Sequence, residues 1–362
     1  MSEKKKILVI DDSAFMRRVI SDIINSDARC ETIGTAKNGK DGLDKIKKLN
    51  PDVVTLDIEM PIMTGLEMLE QLREENINVS VIVMSTLAEE GKKETIRALE
   101  LGAIDFVKKP NNIFKVNTES MRVKLIDKLL MASNIMSKQV TSKIPSRHDR
   151  NKQVYKPVSR IRKATTNSSF SKLVALGCST GGPRALQYVL PYLPRDLDAG
   201  IVIVQHMPAG FTKSLADRLN QLSEIEVKEA VDNDIIEKGK AYIAPGDYHM
   251  KVIKDNKNNL IIKLSKEDPF RGHRPAVDIM MNSLLDINNV ELTGVIMTGM
   301  GMDGSEGLNN LKNNNGIHII AQDEETCVVY GMPKAVVLKG IADEIVPLQL
   351  ISDSITKKVG VL

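Results

Sequence analysis

Two sets of residues in this chain have the types and spacing to do chemistry. Near the N-terminus, Asp11, Asp12 and Asp57 offer three carboxylates, followed by the Ser85 hydroxyl and the Lys109 ammonium. Far downstream, Gly177-Cys178-Ser179-Thr180-Gly181-Gly182 places a hydroxyl in a glycine-rich turn. Gln205-His206-Met207 adds an imidazole, and Gly299-Met300-Gly301-Met302-Asp303-Gly304 a carboxylate. Three carboxylates brought together repel unless a cation neutralises them, and their oxygens suit a small hard ion such as Mg²⁺. A carboxylate there can attack a phosphoryl group to form an acyl phosphate. Lys109 would pair with the new phosphate, and the Ser85 hydroxyl would bond it and move its loop. In the second set, serine, histidine and aspartate are the parts of a nucleophile, a base and an orienting acid. The first set reads as a phosphate switch, the second as a hydrolase, and the two together as a regulated enzyme.

Convergence of each set requires particular elements. From Lys5 to about Met136, apolar runs at Ile7–Ile10, Thr32–Ala36, Val53–Leu56, Val79–Met84 and Asp105–Val107 alternate with amphipathic stretches. Five strands alternating with helices imply a parallel sheet covered on both faces. Ligand sites in such sheets lie beyond the carboxyl ends of the strands, where Asp11, Asp12, Asp57, Ser85 and Lys109 all fall. From Lys172 the alternation resumes, with strands expected at Leu173–Gly177, Ile201–Gln205, Gly294–Met297 and Ile317–Ala321, and hairpin material from Ala241 to Leu264. Ser179, His206 and Asp303 each follow a different apolar strand, so one sheet edge can collect them. Pro183 near the start of the following stretch suits a helix N-terminus, whose N–H groups can hold an oxyanion.

Residue types alone leave competitors. Cys178 could be the nucleophile, although a cysteine at a strand end more often packs as a small hydrophobe. His249 and His273, expected in loops, compete with His206 for the role of base, and Asp247, Asp278 and Asp323 compete with Asp303. The GCSTGG turn lacks the G-x-G-x-x-G spacing of a dinucleotide site. The order Ser, His, Asp gives no support by itself, since triads are defined by geometry.

Composition narrows the classes. The chain of 362 residues is long enough for two full cores. It has no apolar run long enough to span a membrane, and Asp11 and Asp12 cut short the apolar start that a secretory signal needs. Cys30, Cys178 and Cys327 are far apart without a CxxC pair, which points to reduced thiols in a cytoplasm. Between Ser137 and Ser171 nine lysines and arginines are opposed by Asp149 alone, amid Pro, Ser and Thr. That stretch reads as a flexible basic linker. Without it the two halves are mildly acidic, which argues against nucleic acid as the partner.

The motifs carry two resemblances. Asp11-Asp12, D-x-x-M-P at Asp57–Pro61, Ser85 and K-P at Lys109-Pro110 resemble, in spacing and order, the receiver domain of two-component response regulators. The resemblance implies a flavodoxin-like (βα)₅ fold over residues 1–136, with Asp57 as phosphoacceptor. It further implies that Asp12, Asp57 and the Glu59 backbone carbonyl hold Mg²⁺, that Asp11 contributes through water, and that Ser85 and Lys109 read the phosphate. G-x-S-T-G-G, QHMP, AYIAPGD-x-HM, GHRP-x-VD and TGMG-x-DG occur in that order and resemble the catalytic domain of CheB-type chemotaxis protein-glutamate methylesterases. A receiver followed by a linker is that family's architecture. The implied catalytic domain, residues 172–362, is a doubly wound, mostly parallel α/β fold. Its nucleophile would be Ser179, its base His206 and its orienting acid Asp303, with Thr180 and Met300 in active-site loops. The resemblance implies hydrolysis of glutamate γ-methyl esters on chemoreceptors without a metal, deamidation of certain glutamines, and phosphorylation by the chemotaxis histidine kinase. It also implies a monomer in the cytoplasm at receptor clusters. A DNA-binding output is disfavoured by the α/β pattern of the second half, and an inactive adaptor by the presence of all three triad candidates.

Overall fold

The computed structural model of the chain describes residues 3–86, 88–109, 119–135 and 172–362. The basic stretch at 137–171 lies outside the described residues.

The first unit runs β1 (Lys5–Ile10), α1 (Ala14–Asn25), β2 (Cys30–Ala36), α2 (Gly39–Leu49), β3 (Val53–Asp57), α3 (Gly65–Glu74), β4 (Ser80–Ser85), α4 (Glu89–Leu101), β5 (Asp105–Lys108) and α5 (Glu119–Ile135). Its strands form one parallel sheet in the order β2-β1-β3-β4-β5. β3 and β4 are buried at every position, as expected for parallel strands covered on both faces. Each isoleucine or leucine fully buried on them contributes about 1.5–3 kcal/mol. Helices start where the sequence supplies caps. The Ser13 hydroxyl accepts from the Met16 N–H ahead of α1, and Thr64 and Glu67 make a reciprocal capping box on α3.

The second unit runs β6 (Lys172–Cys178), α6 (Gly182–Val189), β7 (Gly200–Gln205), α7 (Phe211–Leu222), β8 (Glu226–Glu229), β9 (Lys240–Ile243), β10 (His249–Lys254), β11 (Leu260–Ser265) and α8 (Val277–Ser283). It continues through β12 (Glu291–Ile296), α9 (Ser305–Asn315), β13 (His318–Gln322), α10 (Met332–Leu338), β14 (Glu344–Val346) and α11 (Ile351–Val359). Seven strands form a parallel sheet in the order β14-β13-β12-β6-β7-β9-β8, and β10 and β11 pair apart from it as an antiparallel hairpin.

Two expectations need correction. The strand near Ala241 belongs to the parallel sheet, and the hairpin begins only at His249. That histidine opens a strand, is fully buried and bonds the Asp268 carbonyl through Nε2, so it is a core residue rather than a loop competitor. β8 (EVKE) and β14 (EIV) are short strands at the two edges of the sheet and show little apolar pattern.

In both sheets the chain starts in the interior and later returns to the other side of its first strand. The reversal falls between β1 and β3 in the first sheet and between β6 and β12 in the second. Such switch points open a crevice at the carboxyl ends of the strands. Asp11 and Asp12 follow β1 and Asp57 ends β3; the loops after β6 and β12 carry Ser179 and Asp303.

Candidate phosphoacceptor and active sites

At the first crevice, ligand oxygens of Asp11, Asp12 and Asp57 lie within 4.8 Å of one another. Asp11 and Asp57 are buried and Asp12 is exposed. The Lys109 ammonium pairs with Asp57 Oδ2 at 2.6 Å and Asp11 Oδ2 at 2.9 Å. Asp57 Oδ1 accepts one backbone bond, from the Ile58 N–H at 2.8 Å. Burial pushes the Asp57 carboxyl up to about 6; Lys109 opposes this, and the neighbouring Asp11 adds to it. One ammonium thus faces two buried carboxylates, with a third at the rim. This all-oxygen set fits a small hard dication, which would relieve the remaining repulsion.

Glu59 is exposed in the loop after β3. Ser85 ends β4 as expected, but its hydroxyl faces α4: it bonds Thr95 Oγ1 at 2.5 Å and the Thr86 carbonyl at 3.1 Å. Of the residues expected here, the structure brings Asp11, Asp12, Asp57 and Lys109 together and holds the Ser85 hydroxyl away from them.

At the second crevice, β6 pairs with β7 through Cys178 and Gln205, so Ser179 and His206 leave adjacent strands at the same level. The His206 N–H donates to the Cys178 carbonyl at 3.3 Å, and the Ser179 N–H to the Thr298 carbonyl beyond β12 at 3.0 Å. His206 reaches over the end of β6, and its Nε2 bonds Asp303 Oδ2 at 2.8 Å. Both side chains are nearly dry, at 7% and 4% exposure. His206 Nδ1 is buried without a hydrogen-bond partner.

Asp303 also accepts the N–H groups of Val277 at 2.7 Å and Asp278 at 2.9 Å. Burial pushes its carboxyl up, but the His206 bond and charge and these two donors outweigh it and hold the carboxyl below its ordinary value. Glycines make the close approaches possible. Gly181 has φ +79°, and a Cβ there would meet Val328 at 2.7 Å. A Cβ on Gly299 would collide with Met332 and with Ser179 Cβ.

The competitors separate by environment. Cys178 is fully buried, and desolvation pushes its thiol far up, so no thiolate nucleophile is available. Asp247 pairs with Arg274, and Asp323 accepts from Thr326. His273 does enter the site, as a ring stacked on His206 at 4.0 Å and 9°. Burial, reinforced by His206, pushes His273 down to about 4, so it is neutral at neutral pH. Its motif put it near the site in sequence, but nothing in the sequence distinguished stacking from hydrogen bonding.

A face of the first unit lies over this crevice. Asp105 at the start of β5 accepts the Thr180 hydroxyl at 2.8 Å and pairs with Lys128 of α5 at 2.6 Å. Phe106 meets Phe211 with ring centroids 4.5 Å apart. Glu100 of α4, only 7% exposed, takes the Arg218 guanidinium of α7 on both oxygens, at 2.6 and 3.2 Å, and Gln187 of α6 at 3.1 Å. Sequence reading missed Asp105 and Glu100, because a single acid on a strand start or helix end carries no motif. Met300 lies half exposed in the loop before Asp303.

Comparison with known proteins agrees with this two-unit fold. Residues 7–119 match the response regulator receiver domain, and residues 174–355 match CheB methylesterase. A protein-glutamate methylesterase/protein-glutamine glutaminase from Halalkalibacterium halodurans is 46% identical over 99% of both chains. One of the same name from Pyrococcus horikoshii is 43% identical over 100% of this chain and 95% of its own. The crystal structure of the Thermotoga maritima CheB methylesterase catalytic domain superposes with a TM-score of 0.51 at 45% identity, covering 52% of this chain and 99% of that one.

Proposed function

The chain belongs to the CheB methylesterase family and carries a response-regulator receiver ahead of the catalytic domain; from that premise we propose that Ser179, His206 and Asp303 are its catalytic triad and Asp57 its phosphoacceptor. It is a protein-glutamate methylesterase/protein-glutamine glutaminase of chemotaxis, regulated through its receiver. The observation that carries the triad is the dry His206–Asp303 bond, with the other ring nitrogen, Nδ1, buried and unpartnered.

In this reading Ser179 Oγ attacks the γ-ester carbonyl of a receptor glutamate while His206 Nδ1 takes its proton. The imidazolium is stabilised by Asp303, whose carboxylate three donors hold in place. Backbone N–H groups of the turn into α6, with Thr180 and the Met300 loop beside it, surround the developing oxyanion. His206 returns the proton to the departing methanol, and water then releases the glutamate from the acyl-enzyme. An amide follows the same route with loss of ammonia.

At the receiver, Asp57 attacks the phosphoryl group supplied by the chemotaxis histidine kinase, and Lys109 shifts from the carboxylates to the new phosphate. Mg²⁺ held by Asp11, Asp12, Asp57 and the Glu59 carbonyl would neutralise the charge gathered there. The phosphate draws the Ser85 hydroxyl from Thr95. This disturbs α4 and the Glu100–Arg218 and Asp105–Thr180 contacts, and the catalytic crevice opens. Among the described residues no helix is long and apolar enough to cross a membrane.

Methanol release from methylated receptor membranes tests the reading, with wild type and Ser179→Ala each assayed with and without acetyl phosphate and Mg²⁺. Release by wild type alone, stimulated by the phosphodonor, is expected. Equal release by Ser179→Ala would discard the triad.

A further inference from the structure

We propose that Asp278 is a positioning residue for ester hydrolysis: it and Asp303 hold each other's backbone segments in place, and its charge acts through Asp303 on His206. This rests on the reading of Asp303 as the orienting acid.

The contacts are reciprocal. Asp303, just ahead of α9, accepts the Val277 and Asp278 N–H groups at the start of α8. Asp278, in the first turn of α8, accepts the Gly307 N–H of α9 at 2.8 Å. Each carboxylate therefore satisfies backbone donors at the start of the neighbouring helix, donors that a helix cannot satisfy internally. A shift of α8 against α9 would move Asp303 relative to His206.

A neutral acceptor such as asparagine could serve the Gly307 N–H equally well, so the charge needs its own reason. Asp278 is fully buried, and its Oδ2 has no hydrogen-bond partner. Arg271 Nη1 stands 3.6 Å from that oxygen, on a half-exposed side chain. Burial pushes Asp278 up to about 6 against the Gly307 bond, and the nearby Asp303 adds to the rise. A buried carboxylate with one oxygen lacking a hydrogen bond, held only by a long ion pair beside the His206–Asp303 pair, is costly to keep, and such groups gather at functional sites.

The charged groups bearing on Asp278 are Asp303 and Arg271. His206 and its stacked neighbour His273 lie beyond Asp303. On α9, Glu306 pairs with Lys339, just after α10. On β10, which packs against α8, His249 bonds the Asp268 carbonyl, Lys251 pairs with Glu267, and Lys254 bonds the Asn288 carbonyl. The Asp278 carboxylate adds negative charge close to the Asp303 carboxylate that holds His206. Its removal takes that charge away, and the acid limb of the activity profile is expected to move to lower pH.

The experiment is the pH profile of kcat/KM for methanol release by the full chain, with acetyl phosphate and Mg²⁺ present. Wild type, Asp278→Asn, Arg271→Gln and Asp303→Asn are compared, each checked by thermal melting. Rates are taken relative to wild type at each pH, which removes any contribution from the receiver. Asp278→Asn should move the acid limb down by about half a unit, less than the 1–3 units of a charge in direct contact. Arg271→Gln removes the opposing cation and should move it up. An unmoved limb in both overturns the proposal, and Arg271→Gln alone decides if Asp278→Asn does not fold. Wild-type rates in Asp303→Asn would show that the triad reading has failed. Lost activity in Asp303→Asn beside unmoved limbs in the other two would show that only the role of Asp278 has failed.

Discussion

Asp57 and Asp303 occupy similar places, one at the end of a strand and one in the loop beyond a strand at the switch point of a parallel sheet, yet their carboxyls are driven in opposite directions. Asp57 is pushed up to about 6 and Asp303 is held below its ordinary value. Both are buried. The difference lies in the partners. Asp57 has one backbone donor and shares its single ammonium with Asp11, whereas Asp303 has two backbone donors and an imidazole to itself. The proposed phosphoacceptor pocket is left with a charge imbalance that a dication and a phosphoryl group can relieve. The proposed triad acid is satisfied before substrate arrives, as electrostatic preorganisation requires.

The largest expected effect separates the two by function. Asp303→Asn should lower kcat/KM for methanol release by about 10³–10⁴-fold, the scale of losing a triad acid, while leaving phosphorylation of Asp57 by acetyl phosphate intact. Asp57→Asn should do the reverse, abolishing the response to phosphodonor. If either substitution removed both properties, the two pockets would not be separable.

Stability sharpens the comparison. Asp57 is raised above its ordinary 3.8, so between about pH 4 and 6 the unfolded chain gives up its proton before the folded one does. Folded stability is therefore lost as pH rises through that window. Asp303 is lowered, so its contribution is present above the ordinary value and lost as pH falls through the folded one. At pH 7.5 Asp57→Asn should raise the melting temperature by a few degrees and Asp303→Asn should lower it, on the order of 1 kcal/mol each. The Asp57→Asn gain should vanish near pH 4. Calorimetric scans at both pH values check this, and shifts of the same sign would break the comparison.

The smallest effect concerns the surface that joins the pockets. Glu100→Gln weakens the pair with Arg218, which is partly exposed and screened, by about 1 kcal/mol. Methanol release without phosphodonor should then rise by a few-fold, while the phosphorylated rate stays unchanged. An unchanged basal rate would mean that Glu100 does not hold the receiver on the catalytic crevice.

The sequence by itself determined the two parallel sheets, the strand ends and the residues that meet beyond them. Alternation of apolar runs and the side-chain types of Asp57, Lys109, Ser179, His206 and Asp303 are local properties, readable without coordinates. Short strands such as Glu226–Glu229 escaped because charged edge segments take their conformation from the neighbour they pair with. Only the tertiary structure decided that Ser85 turns its hydroxyl to Thr95, that His273 stacks on His206, that His249 is core, and that Asp278 and Asp303 cap each other's helices. It also placed Asp105 against Thr180. Each of these depends on the direction of a side chain and on what packs around it. Hydrogen bonding and desolvation act over a few ångströms between residues far apart in the chain, and sequence spacing does not encode those distances.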